Sequence, residues 1–171
     1  MRFLNTLYAA GAILAAAFMV LIALLTLIQI LGRTFGVLVL DAGDFAGYAM
    51  AASIFLALAH TFRTGGHIRV NLVLAHSSPR VRRALEIWCL GFMLVVGGLF
   101  AAFSIKMTVD SFSLGDVSTG MVPIPLWIPQ LSMAFGAALL EAAVIEEFVR
   151  VLRGEEPRYE KADTSVESYS E

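Results

Sequence analysis

Apolar residues in this chain come in four long runs, with most charges confined between them. The first extends from Leu7 to Leu31, with only Tyr8, Thr26 and Gln29 as polar interruptions. The second covers about 44–62, is rich in alanine, and has Ser53 and His60 inside it. The third covers about 84–104, and the fourth, about 127–148, contains Glu141. A helix needs about 20 apolar residues to cross the hydrocarbon of a bilayer. Backbone groups in lipid must be satisfied within their own segment, which leaves helices or closed barrels. Barrel strands alternate over about ten residues, and these runs do not. The pattern predicts an all-α integral membrane protein with four transmembrane helices. The first run is too long for a signal-peptide core, and Arg2 alone precedes it, so it reads as a retained helix. The expected organisation is a four-helix domain over 1–154 and a short polar tail over 155–171, solvated and disordered.

Composition agrees with a bilayer. Of the 171 residues 58% are hydrophobic and 15% charged, and the mean hydropathy is +0.79. Soluble domains carry roughly 25% charged residues. The single cysteine, Cys89, rules out an intrachain disulfide and supports no thiolate metal site. Charge sets the orientation. Ten of the twelve Lys and Arg fall at the N-terminus, between the second and third runs, or in the tail. Only Arg33 and Lys106 fall on the other side, beside Asp41, Asp44, Asp110 and Asp116. The positive-inside bias predicts that both termini are cytoplasmic.

Few residues suggest chemistry. Gly65-Gly66 suit the C-terminus of the second helix, and Arg63 is placed to snorkel toward phosphates. Ile68, Val70 and Leu72–Leu74 lie among basic neighbours, which suits a loop lying flat in the interface, as a topology anchor or as one that also docks a subunit. Glu141 is the main intramembrane carboxylate, and such groups face protein or water. Its alternatives are a proton or cation site, a buried pair with Arg63 or His60, and a contact to another subunit. His60, His67 and His76 do not face one another across a bundle, as haem ligation would require. Gly43, Gly47 and Ala51, and Ala134, Ala138 and Ala142, form small-residue faces suited to close helix approach. The segment 107–126, with Asp110 and Asp116, reads as a solvated connector or part of an external docking surface. Trp127 fits an interfacial belt at the start of the fourth helix. No catalytic constellation, metal cluster or nucleotide loop is present, so neither an enzyme nor a cofactor is expected. The basic residues lie next to headgroups, so nucleic acid is not an expected partner.

The chain resembles the small membrane subunit of tripartite ATP-independent periplasmic (TRAP) transporters, the DctQ type, over roughly residues 4–153. The resemblance rests on four spans with both ends inside and on Gly32-Arg33 after the first. It rests also on Arg63-x-Gly-x-His67-Ile68-x-Val70 after the second and on Pro125-x-Trp127 before the fourth. Asp41-Ala42-Gly43-Asp44 stands where relatives carry Trp-x-x-Glu, and Asn71 where they often carry Asp. The resemblance implies a multi-pass protein of the cell inner membrane that packs against a large permease subunit. It implies sodium-coupled uptake of organic acids, such as C4-dicarboxylates, delivered by a transient periplasmic binding protein. On this reading Arg33, Arg63, His67, Arg69 and Trp127 are interfacial anchors or subunit contacts, against lipid headgroups or the large subunit. Glu141 and His60 are candidates for a buried pair. The rival readings are a self-sufficient four-span homo-oligomeric transporter using Glu141, and a tetraspan assembly factor.

Overall fold

A computed structural model describes residues 2–37, 39–64 and 79–155. Four helices follow one another: α1 (Arg2–Thr34), α2 (Ala42–Arg63), α3 (Pro79–Leu114) and α4 (Trp127–Leu152). Each is long and apolar enough to cross a membrane. The expected runs fall inside these helices, and the largest difference is in α3. It was expected to end near residue 104 and continues to Leu114. Nothing between Lys106 and Ser113 breaks a helix. It stops where Gly115 takes φ +71° and Asp116 N–H returns to Ser111 C=O at 3.1 Å. At 36 residues α3 is about 54 Å long, well beyond the roughly 30 Å of hydrocarbon.

The helices pack out of sequence order. α1 lies on α2, α2 on α4, and α4 on α3. The buried positions of α2 include Ala49, Ala52, Ser53, Leu56, Ala59 and Phe62, which recur at helical spacing and are mostly small. Small side chains let backbones approach. A Cβ on Gly11 of α1 would come within 2.9 Å of the Leu56 carbonyl oxygen, and Ser53 Oγ donates to Ala15 C=O at 3.0 Å. On the other side of α2, a Cβ on Gly136 of α4 would run into the Phe55 backbone. These close contacts form the central seam.

The N-terminus of α1 and the C-terminus of α4 lie at the same end, here the terminal end. One core cluster there joins all four helices through Tyr8, Ala59, Phe62, Leu90, Leu139, Val144 and Val151. The second cluster, Ala15, Ala52 and Leu56, belongs to α1 and α2 alone. The core shared by all four helices therefore sits at the terminal end.

Of the two small-residue faces read from spacing, the first is left largely uncovered by the described chain and the second is mixed. Gly43 and Gly47 are exposed, and a Cβ on either would meet nothing within 4 Å. On α4, Ala134 is buried but Ala138 is exposed; the packed small positions are Gly136, Ala137 and Ala143. Alanine and glycine line several faces of these helices, and spacing alone does not choose among them.

Candidate functional site

Charged and polar groups gather at the two ends of the bundle, with one carboxylate in between. At the terminal end Arg63, in the last turn of α2, lies over the Tyr8 ring at 4.6 Å and pairs with Glu146 of α4 at 3.9 Å. Its side chain is only 12% exposed. The expectation that Arg63 reaches out to phosphates thus meets an arginine turned into the bundle. Glu147, beside it, is 1% exposed. Arg150 pairs with Glu155 at 3.0 Å. Arg83 of α3 donates to the Val151 and Leu152 carbonyls at 3.4 and 3.1 Å, where cationic groups complement a helix C-terminus. Gly154, with φ +80°, ends α4.

Glu141 is apart from this collar. Its carboxylate lies against Gly97 and Gly98 of α3: a Cβ on Gly97 would stand 2.6 Å from Oε2, and one on Gly98 3.4 Å from Oε1. Oε2 is buried and has no hydrogen-bond partner among the described residues. Arg63 and His60 are not brought to it. Arg63 meets Glu146, more than a turn nearer the terminal end of α4, and His60 is exposed on α2. Glu146 and Glu147 are the residues that sequence reading passed over. The available signal was two adjacent carboxylates closing one apolar run at the depth where Arg63 closes another.

At the far end, Arg33 is exposed in the last turn of α1. Trp127 opens α4 half-buried, edge-on to Phe112 of α3 at 5.6 Å between ring centres, so it clasps two helices together. The connector before it is built, not loose. Val117 and Pro125 form an antiparallel bridge, with Ser118 N–H on Ile124 C=O at 2.8 Å and Leu126 N–H on Asp116 C=O at 2.9 Å. Asp41 takes the left-handed conformation, φ 52°, which aspartate tolerates better than most residues. Its carboxylate does not cap α2; it accepts the Val122 N–H at 2.5 Å and so ties the connector to the start of α2. His67 and Arg69, the Gly65-Gly66 stop, the flat basic loop and the tail beyond Glu155 lie outside the described residues.

Two surfaces complete the picture. The spanning windows of α1 and α3 are only 11% and 17% buried, against 33% for α2 and α4. α3 presents Phe92, Val95, Leu99 and Phe103 outward, and α1 presents Ile13, Met19, Leu24 and Leu27. Between α1, α2 and the start of α4 lies an apolar wedge of about 410 Å³, lined by Phe18, Leu21, Leu25, Phe45, Tyr48, Ala49, Ala52, Ile124, Ile128, Pro129 and Ser132. Among the described residues no group of three or more His, Cys, Asp or Glu side chains gathers at Glu141 or elsewhere.

A half-open row of four membrane-long helices, with bare apolar flanks, defines a multi-pass helical membrane protein. The family model described as "Tripartite ATP-independent periplasmic transporters, DctQ component" matches residues 22–154. The chain belongs to this family and is the small permease component of a TRAP-type transporter. Neither a curated protein nor a solved structure matches it.

Proposed function

We propose that this chain is a fixed scaffold for the large permease subunit in sodium-coupled uptake of organic acids, C4-dicarboxylates among them, brought by a periplasmic binding protein. It has no enzymatic role and lies in the cell inner membrane with both termini cytoplasmic. Arg33, His67, Arg69 and Trp127 act as interfacial anchors or subunit contacts. The observation that carries the reading is the pair of bare apolar flanks on α1 and α3, combined with membership of a multi-component transporter family. A transport path needs convergent polar groups at broken helices near the midplane. Here each described helix runs unbroken, and Ser53, in the middle of α2, gives its hydroxyl to the Ala15 carbonyl. Mild-detergent purification of the tagged chain should recover a much larger polytopic protein in stoichiometric amount. Recovery of this chain alone, as a stable homo-oligomer, would end the scaffold reading.

One observation favours the self-sufficient transporter: Glu141 Oε2 is buried without a partner. Glu141→Ala separates the two readings. A scaffold role predicts lower recovery of the assembly with substrate affinity nearly unchanged. A large loss of affinity in normally assembled protein would make Glu141 a transport residue.

A further inference from the structure

Glu141 lies near the middle of α4, 14 residues after Trp127 and 11 before Leu152. Its side chain is half-buried. Oε2 is the buried oxygen, so the open edge is Oε1, beside Gly98. We propose that a transmembrane helix of the large permease subunit lays a lysine or arginine against that edge. The identity of the partner rests on the scaffold reading above; the chemistry it must bring does not.

The edge faces outward from the row of helices. At about 100° per residue, Gly98 and Ala102 stand on the side of α3 opposite Phe100. Phe100 is on the side turned to α2, where it stacks on Phe55 with ring centres 5.9 Å apart. Ala102 is exposed, and so is Ala138, one turn before Glu141 on α4. The carboxylate thus sits in a shallow notch rimmed by glycine and alanine, where another backbone can come close. Lipid does not satisfy this notch. Intramembrane carboxylates face protein or water and pair with opposite charge. No cation among the described residues meets this one. Arg63 is held by Tyr8 and Glu146, nearer the terminal end. Lys106 stands about 12 Å along α3 from Gly98, beyond the reach of its side chain. The countercharge must come from outside the described residues, and the small rim admits a helix that carries it. The bare apolar flank elsewhere on α3 gives no such signal, because lipid suffices to cover it.

Glu141→Gln keeps the shape of the side chain and removes its charge. It should lower recovery of the large subunit by at least about tenfold, because the partner's cation is then buried alone. Benzoylphenylalanine replacing Ile145, exposed one turn beyond Glu141, should capture the large subunit on illumination. Mass spectrometry of the cross-linked peptide then names the helix, and a lysine or arginine should stand within a turn of the capture point. Changing that residue to glutamate should lower recovery as Glu141→Gln does, and adding Glu141→Lys should restore it. A role confined to the packing of α3 on α4 would not give that rescue. Gly98→Leu, which fills the notch and keeps the charge, should also exclude the partner, so a folding failure of Glu141→Gln leaves a second variant to decide. The inference is overturned if Glu141→Gln assembles like wild type, which is the behaviour of a neutral acid. It is overturned too if the captured helix carries no cation near the capture point, or if only lipid is captured. When the wild-type chain brings down no larger polytopic protein, the scaffold reading falls and this inference with it. When it does and Glu141→Gln changes nothing, the scaffold reading stands and the cation at Glu141 alone falls.

Discussion

Two of the contacts that Arg63 makes are not equal. Its ion pair with Glu146, at 3.9 Å, is near the limit for such contacts, while the guanidinium lies squarely within range of the Tyr8 ring at 4.6 Å. Tyr8→Leu should therefore cost about 1–2 kcal/mol of stability, and Glu146→Gln less. Thermal unfolding of the purified chain in detergent reads the difference; a larger loss from Glu146→Gln would make the ion pair the main restraint. This arrangement was only half legible in the sequence. An arginine ending an apolar run snorkels by default. What turns it inward is a ring from α1 and a carboxylate from α4, and their proximity is a tertiary fact. Glu141 repeats the lesson. Its depth in the membrane was readable, but its neighbours Gly97 and Gly98 carry no side chain that a charge-pairing argument would find.

At the scale of the element, three glycines allow a ranked test. At Gly136 a Cβ would meet the backbone of Phe55, which cannot step aside. At Gly97 it would meet the carboxylate end of Glu141, a flexible group that can move. At Gly47 it would meet nothing within 4 Å. Alanine substitution should therefore destabilise in the order Gly136, Gly97, Gly47. The first should cost about 1–3 kcal/mol, and the last should be neutral or stabilising, since alanine favours helix by roughly 1 kcal/mol. Denaturant-dependent loss of helical circular dichroism gives the order. Gly136→Ala behaving like Gly47→Ala would mean that the α2–α4 seam yields more readily than its backbone contact implies. The helices themselves were legible because twenty apolar residues have few other fates. The end of α3 was not, because apolar runs mark where a helix is dry and not where it stops. Lys106 to Leu114 continues as helix past the apolar stretch until Gly115 stops it.

For the molecule as a whole, orientation is the first quantity to measure. Thr64 follows α2 at the terminal end and Thr119 lies in the far-end connector, and both are exposed. With Cys89 replaced by alanine, a cysteine at Thr119 should react with an impermeant maleimide on intact cells, and one at Thr64 only after lysis. The reverse pattern would invert the topology drawn from the arginine distribution. Single-helix faces were the least legible feature at this scale. The line through Gly43 and Gly47 reads from spacing as a face for close helix approach, but spacing does not say which helix approaches, and nothing in the described chain covers it.

The order of packing, α1 on α2, α2 on α4 and α4 on α3, has a consequence for biogenesis. Each half of the chain is a hairpin that closes on itself with near neighbours in sequence. The halves meet along the α2–α4 seam, where Gly136 meets Phe55 and Arg63 meets Glu146, and that seam must wait until the second half has left the ribosome. The connecting peptide is then a tether that raises the local concentration of one hairpin near the other, and an effective concentration can be replaced by expression level. A gene severed between Val70 and Asn71, with both pieces made in the same cell, should yield two polypeptides that find each other in the membrane and copurify. Placing Gly136→Leu in the second piece should keep them strangers.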